Sequence, residues 1–480
     1  MIKKLFIPLV VLLIGAVAAV YFYASNSGES GYDIKQAVPV EQFRLRNGLR
    51  VVVMPNDRIP AVVHALFVRA GGADDPHGKS GLAHFVEHLL FTGTKDNPEG
   101  EYDRAIARLG GTHNAYTTRD YTTFYVAIAK EYLPQVMALE SDRLAHLTLD
   151  KARAAREVAV IEEERKWRVD NRLPALLGEQ MDAVLLLNHP YRQPLIGWAE
   201  DIARFKVEDA RHFLARYYRP SNMVLVVAGD VTVEEVRKLA QQYYAPLRAG
   251  VQPTRHWPNE PQLRAERRVL LRDARAEETR LSISYVAPST NHGDTEASLP
   301  LALFVQYLGG SETGFLHRRL VEEQKLATMV AAGYDNLAQG PGEVTVTMIP
   351  AKGVTVERLE EAYRTALGEA LVAAPPAEAI RRTKTLMKAE AVFAQDGLEP
   401  LAHLIGQLYM LGLDEGYFYH WPDKVENVTS DAMLQAARAT LQAQNSVVGV
   451  LTAEGAARPS PAPDAAQDNT ANAVEATDAR

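Results

Sequence analysis

The chain has 480 residues, too many for one ordinary core, and at roughly 100–200 residues per domain it holds two or more. Its 47% hydrophobic and 23% charged residues are those of a soluble globular chain, which excludes pervasive disorder, a multi-span membrane protein and a collagen-like fibre. A net charge of −8 lacks the basic footprint of a nucleic-acid binder, and with no cysteine any metal must be held by His, Asp and Glu.

At the N-terminus, Lys3 and Lys4 precede an uncharged run from Leu5 to Tyr23. As a helix that run would span roughly 28 Å, about one hydrocarbon core. Secretory signals have shorter apolar cores of about 7–15 residues, so residues 1–24 read as an uncleaved signal anchor. Ala16-Val17-Ala18 keeps a cleavable signal open, whereas no Cys follows to make a lipoprotein. With the lysines held inside, the rest of the chain lies outside the cytoplasmic membrane. In a two-membrane bacterium this means a single-pass inner-membrane protein facing the periplasm, or a periplasmic protein after cleavage.

A linker, 25–37, leads to a first folded unit, 38–245. Asn47-Gly48, flanked by apolar runs between Phe43 and Asp57, signals a two-residue hairpin, and Ala61 to Gly71 gives another strand. Helical stretches are expected from there to Tyr218, then a buried-type strand at Asn222–Val231 and a helix at Val233–Tyr244. A Pro-, Arg- and Trp-rich stretch reads as a linker, 246–264. The second unit, 265–455, opens with strands at Arg267–Asp273 and Thr279–Ala287, continues through VTVTMIP, and ends in Asn445–Gly455, which echoes the strand at Asn222. An α+β fold of two tandem, distantly alike halves is the simplest account. The tail, 456–480, is rich in Ala, Pro, Asp and Asn and is expected to be disordered.

Chemistry is concentrated in HGKSGLAHFVEHLLFTGT, from His77, with Ser80 as the expected N-cap. On a helix His84, Glu87 and His88 stand at i, i+3 and i+4 and share one face. Two imidazoles so placed can bind one divalent ion beside the carboxylate, and zinc accepts such ligands while leaving a position for water. A third ligand is needed. In the expected helix from Lys151 to about Val169, Glu157 and Glu164 are two turns apart and share a face, whereas Glu162 and Glu163 point elsewhere. Gly78-Lys79-Ser80 is not a phosphate loop, because Ala73 stands where its first Gly belongs. His113 and His189, beside Asn and Pro in loops, read as structural rather than as ligands.

From about Val38 to Gly455 the chain resembles the insulinase/pitrilysin-type zinc peptidases with an inverted His-x-x-Glu-His signature. The resemblance rests on that signature, on EVAVIEEE at Glu157–Glu164, and on GGTHNAYTTRDYTTFY, HPYRQPLIGW and RPSNMVLVVAGDV in the same order. It implies one zinc ion held by His84, His88 and Glu164, with Glu87 as general base and Glu157 as a supporting acid. It further implies that Asn114 touches the substrate backbone, and that peptides or unfolded segments bind as an added strand inside a closed chamber. The family's substrate-anchoring Arg and Tyr are replaced by Val321 and Thr328 in LVEEQKLAT, with Arg318, Arg319 and Tyr334 as possible substitutes. The expectation is therefore a dimer, either of two copies or with a related subunit that supplies the facing wall. The competing reading is a non-catalytic polypeptide-binding subunit of the same fold; a zinc hydrolase of non-peptide substrates is a third.

Overall fold

The computed structural model describes residues 39–393, 397–453 and 455. The expected signal anchor, first linker and C-terminal tail lie outside the described residues. Among the described residues, no helix is long and apolar enough to cross a membrane.

The first sheet begins with antiparallel β1 (Glu41–Arg44) and β2 (Arg50–Pro55). Their connection, Leu45 to Leu49, is longer than the two-residue turn expected. Gly48 takes φ +96°, a region that favours glycine, and Asn47 turns inward to donate to the Tyr244 carbonyl at 2.7 Å. β3 (Ala61–Val68) follows. Two further strands, β4 (Thr112–Thr117) and β5 (Thr122–Ala129), form a hairpin within the stretch expected to be helical. With β6 (Met223–Gly229) the order is β1-β2-β6-β3-β5-β4, so β4 is an edge. β6 runs parallel to β2 and antiparallel to β3.

The second sheet repeats this plan. β7 (Arg267–Arg272), β8 (Arg280–Ala287), β9 (Ala327–Asp335), β10 (Gly342–Pro350) and β11 (Ser446–Thr452) lie in the order β7-β11-β8-β10-β9. β11 is parallel to β7 and antiparallel to β8, as β6 is to β2 and β3. Short 3-10 turns, Pro220–Asn222 and Ala443–Asn445, precede the two equivalent strands. The echo between Asn222 and Asn445 is thus the repeat of one strand plan.

Four helices build the cleft and join the halves: α1 (Leu82–Leu89), α2 (Lys151–Arg165), α3 (Leu173–Leu185) and α4 (Leu398–Met410). Side chains alternate across β6, with Leu225 and Val227 facing the core that includes α1 and Val224 and Val226 facing α4. α4 comes from the second half yet covers the first sheet. Reciprocally, Leu177 and Met181 of α3, a first-half helix, pack on Val447 and Leu451 of β11. Glycine permits both contacts, since a Cβ at Gly406 would overlap the Phe67 ring and one at Gly449 would overlap the Met181 thioether. Each sheet is therefore closed by a helix of the other half.

Residues 246–264 carry no helix or strand, and part of the stretch packs on the folded halves. The Arg255 side chain, 9% exposed, packs against Asp74 and the Asp120 carbonyl, and its guanidinium stacks over Trp257. Asp120 also accepts from the Tyr191 hydroxyl at 2.6 Å and from the Gln339 amide at 3.1 Å. A polar knot thus joins both halves.

Candidate metal centre

α1 begins at Gly81, which takes φ +86°. Ser80 is not its N-cap: the Ser80 hydroxyl donates to Asp201 at 2.7 Å and accepts from the Trp198 amide. Asp75 takes the cap's place, its carboxylate accepting from the Gly81 and Ala83 amides at 2.7 and 2.8 Å. A carboxylate there satisfies donors that the helix cannot and complements its positive end. Leu82, Phe85, Val86 and Leu89 bury one side of α1 in the first core. His84, Glu87 and His88 face α2 and the cleft.

From α2, Glu164 projects toward both imidazoles. Its Oε2 lies 3.6 Å from His84 Nε2 and 3.3 Å from His88 Nε2. Ligand atoms of the three residues all fall within 4.8 Å of one another. Oε2 is buried and makes no aligned hydrogen bond, although two imidazole nitrogens converge on it. A buried orphan among convergent donors is the environment an ion would complete, and two imidazoles with one carboxylate suit zinc.

Glu157, two turns earlier, places Oε2 3.3 Å from His88 Nδ1. Donation from Nδ1 leaves Nε2 free to ligate, the usual service of an outer carboxylate. The two histidines consequently differ. Burial, with the neighbouring His88 charge, lowers His84 to about 3. Burial also opposes charge on His88, but the hydrogen bond to Glu157 and the adjacent Glu164 carboxylate outweigh it and raise His88 to about 9.

Glu87 is buried, and the Thr117 hydroxyl of β4 donates to its Oε2 at 2.6 Å. Burial pushes its carboxyl above the ordinary range, partly offset by that hydrogen bond. Asn114 lies on edge strand β4 and lines the same cleft, its side chain accepting from the Ala115 amide at 2.9 Å. The cleft encloses about 750 Å³. Among the described residues, its walls come from those between His84 and Ile196.

His113 stands 3.3 Å from Asp103, and His189 packs with Tyr191 and Trp257; neither joins the metal group. Val321 packs on the second core, Arg319 pairs with Glu323 and Glu369, and the Tyr334 hydroxyl donates to the Pro288 carbonyl. None of these, nor Arg318 or Thr328, lines the cleft. Sequence reasoning missed Thr117 and Arg168. Thr117 was signalled by the alternation in Tyr116-Thr117 ahead of Thr122-Thr123, and Arg168 by standing four residues beyond Glu164.

The signature described as insulinase (peptidase family M16) matches residues 50–197, and that of the M16 inactive domain matches residues 204–387. The chain is 30% identical over 292 residues to the zinc protease PqqE of Helicobacter pylori, covering 60% of this chain and 65% of that one. This chain thus spans just under two thirds of that relative. In fold it resembles a solved protease from Helicobacter pylori, with a TM-score of 0.81 at 23% identity over 87% of this chain and 100% of the other. It also resembles the periplasmic protease PqqL from Escherichia coli, with a TM-score of 0.72 at 22% identity, covering 87% of this chain and 48% of that one. With two M16 signatures in tandem and the inverted motif on α1, this chain belongs to the insulinase (M16) peptidase family.

Proposed function

We propose that this chain is the zinc-bearing, catalytic chain of an endopeptidase that cleaves peptides or unfolded polypeptide segments outside the cytoplasmic membrane. The carrying observation is the convergence of His84, His88 and Glu164 beside a buried Glu87. Zinc bound there would polarise the scissile carbonyl and lower the pKa of a bound water to about 7. Glu87, which burial makes more basic than an ordinary carboxylate, takes the water proton and returns it to the leaving amine. Thr117 fixes one oxygen of that carboxylate, and Glu157 holds the His88 tautomer. β4 offers its open edge to the substrate main chain, with Asn114 beside it, so recognition rests on backbone more than on sequence.

A cleft walled, among the described residues, by the first half alone favours a second subunit as the facing wall, either another copy or a relative. The periplasmic location of PqqL and the apolar N-terminal run support a periplasmic setting, anchored or released. A non-catalytic binding subunit would have no need of Glu87, so intact chemistry favours the enzyme. The test compares wild type with Glu87→Gln on an unstructured peptide. Glu87→Gln is expected to abolish cleavage and keep most of the zinc; undiminished turnover contradicts the assignment.

A further inference from the structure

The two oxygens of Glu164 have different neighbours. Oε2 faces the imidazoles without an aligned hydrogen bond, whereas Oε1 sits 2.9 Å from Arg168 Nε. Arg168 reaches it from a π-helical turn, Lys166–Asp170, closed by the Asn171 amide on the Lys166 carbonyl at 2.9 Å. Such widened turns are rare and concentrate at functional sites. The turn before it is fixed: buried Arg165 forks onto Glu179 at 2.7 and 2.8 Å and reaches the Gly197 carbonyl at 2.7 Å. Arg165 thus anchors the backbone of Glu164, leaving the torsions of its side chain to be set.

We infer that Arg168 is a positioning residue of the metal centre, holding the Glu164 carboxylate so that Oε2 stays turned toward His84 and His88. This rests on the reading of the site as a zinc centre. Arg168 is the one arginine or lysine among the described residues lining the cleft, and the acids around it have other partners: Asp182 has Arg119, Glu179 has Arg165 and Glu99 has Arg156. The Arg168 side chain is 56% exposed, and an exposed i,i+4 ion pair adds little to fold stability. A group that orients a ligand instead changes metal affinity, by about 10–100-fold. The two roles are therefore separable.

The test uses the full chain as wild type, Arg168→Ala, Arg168→Lys and, as a control in the same turn, Lys166→Ala. Zinc affinity is measured by competition with a chromophoric chelator, and the melting temperature of the metal-free protein is measured alongside. Arg168→Ala is expected to bind zinc about 10–100-fold more weakly with an unchanged metal-free melting temperature. Arg168→Lys should recover part of the loss, and Lys166→Ala should match wild type. If wild type takes up zinc and Arg168→Ala binds it equally well, the inference is overturned and the zinc centre stands. Should wild type itself take up none, both fall.

Discussion

The Thr117 hydroxyl donates to Glu87 Oε2 at 2.6 Å, and Thr122 stands 3.2 Å behind Thr117. A buried carboxylate on a helix is thereby tied to the β4–β5 hairpin that also presents the open strand edge. A shift of that edge would carry with it a group bonded to the base.

Replacing Thr117 with Val preserves shape and removes the donor. A hydrogen bond to the charged form lowers a carboxyl pKa, so its loss raises that of Glu87 further. Glu87 would then become deprotonated only at higher pH. The acid limb of the pH profile of kcat/KM is expected to move upward, with roughly a tenfold loss at neutral pH. Peptide hydrolysis measured across pH checks both.

The exchanged helices make the halves interdependent. Heating should give one cooperative calorimetric transition, because neither sheet stays covered once the other half has left. Gly406→Val, forcing a branched side chain into the Phe67 ring, should cost about 1–3 kcal/mol. Two resolved transitions in wild type would contradict this arrangement.

Arg255→Met leaves Asp74 and Asp120 without their buried cation. Breaking a buried pair this way costs about 3–5 kcal/mol. Burial already raises Asp120, with Arg255 the first influence lowering it. In the variant its folded pKa climbs further above the unfolded value, so the penalty grows as pH rises between those values and shrinks as acidification protonates it. Urea denaturation at pH 7 and pH 5 should show the larger deficit at pH 7.

Much of this was legible in the chain. The i, i+3, i+4 spacing of His84, Glu87 and His88 and the two-turn spacing of Glu157 and Glu164 are helical periodicities, and those helices form. β4 and β9 were not legible. Thr112-His113-Asn114 is polar because it lies on an edge, and Ala331-Ala332-Gly333 lacks the branched side chains that mark strands. The reciprocal packing of α3 and α4 pairs segments far apart in sequence, which no local pattern reports. Ser80 failed as a cap because Asp201, brought in by the fold, claims its hydroxyl. The contacts of Arg255, within the expected linker, were not legible because its partners, Asp74 and Asp120, are distant in the chain.

The most direct measurement is anomalous diffraction at the zinc edge from crystals of the zinc-loaded chain. The account predicts a peak bounded by His84, His88 and Glu164, with Glu87 beside it and Arg168 on the far oxygen of Glu164. A peak bound elsewhere, with those three side chains uncoordinated, would contradict it.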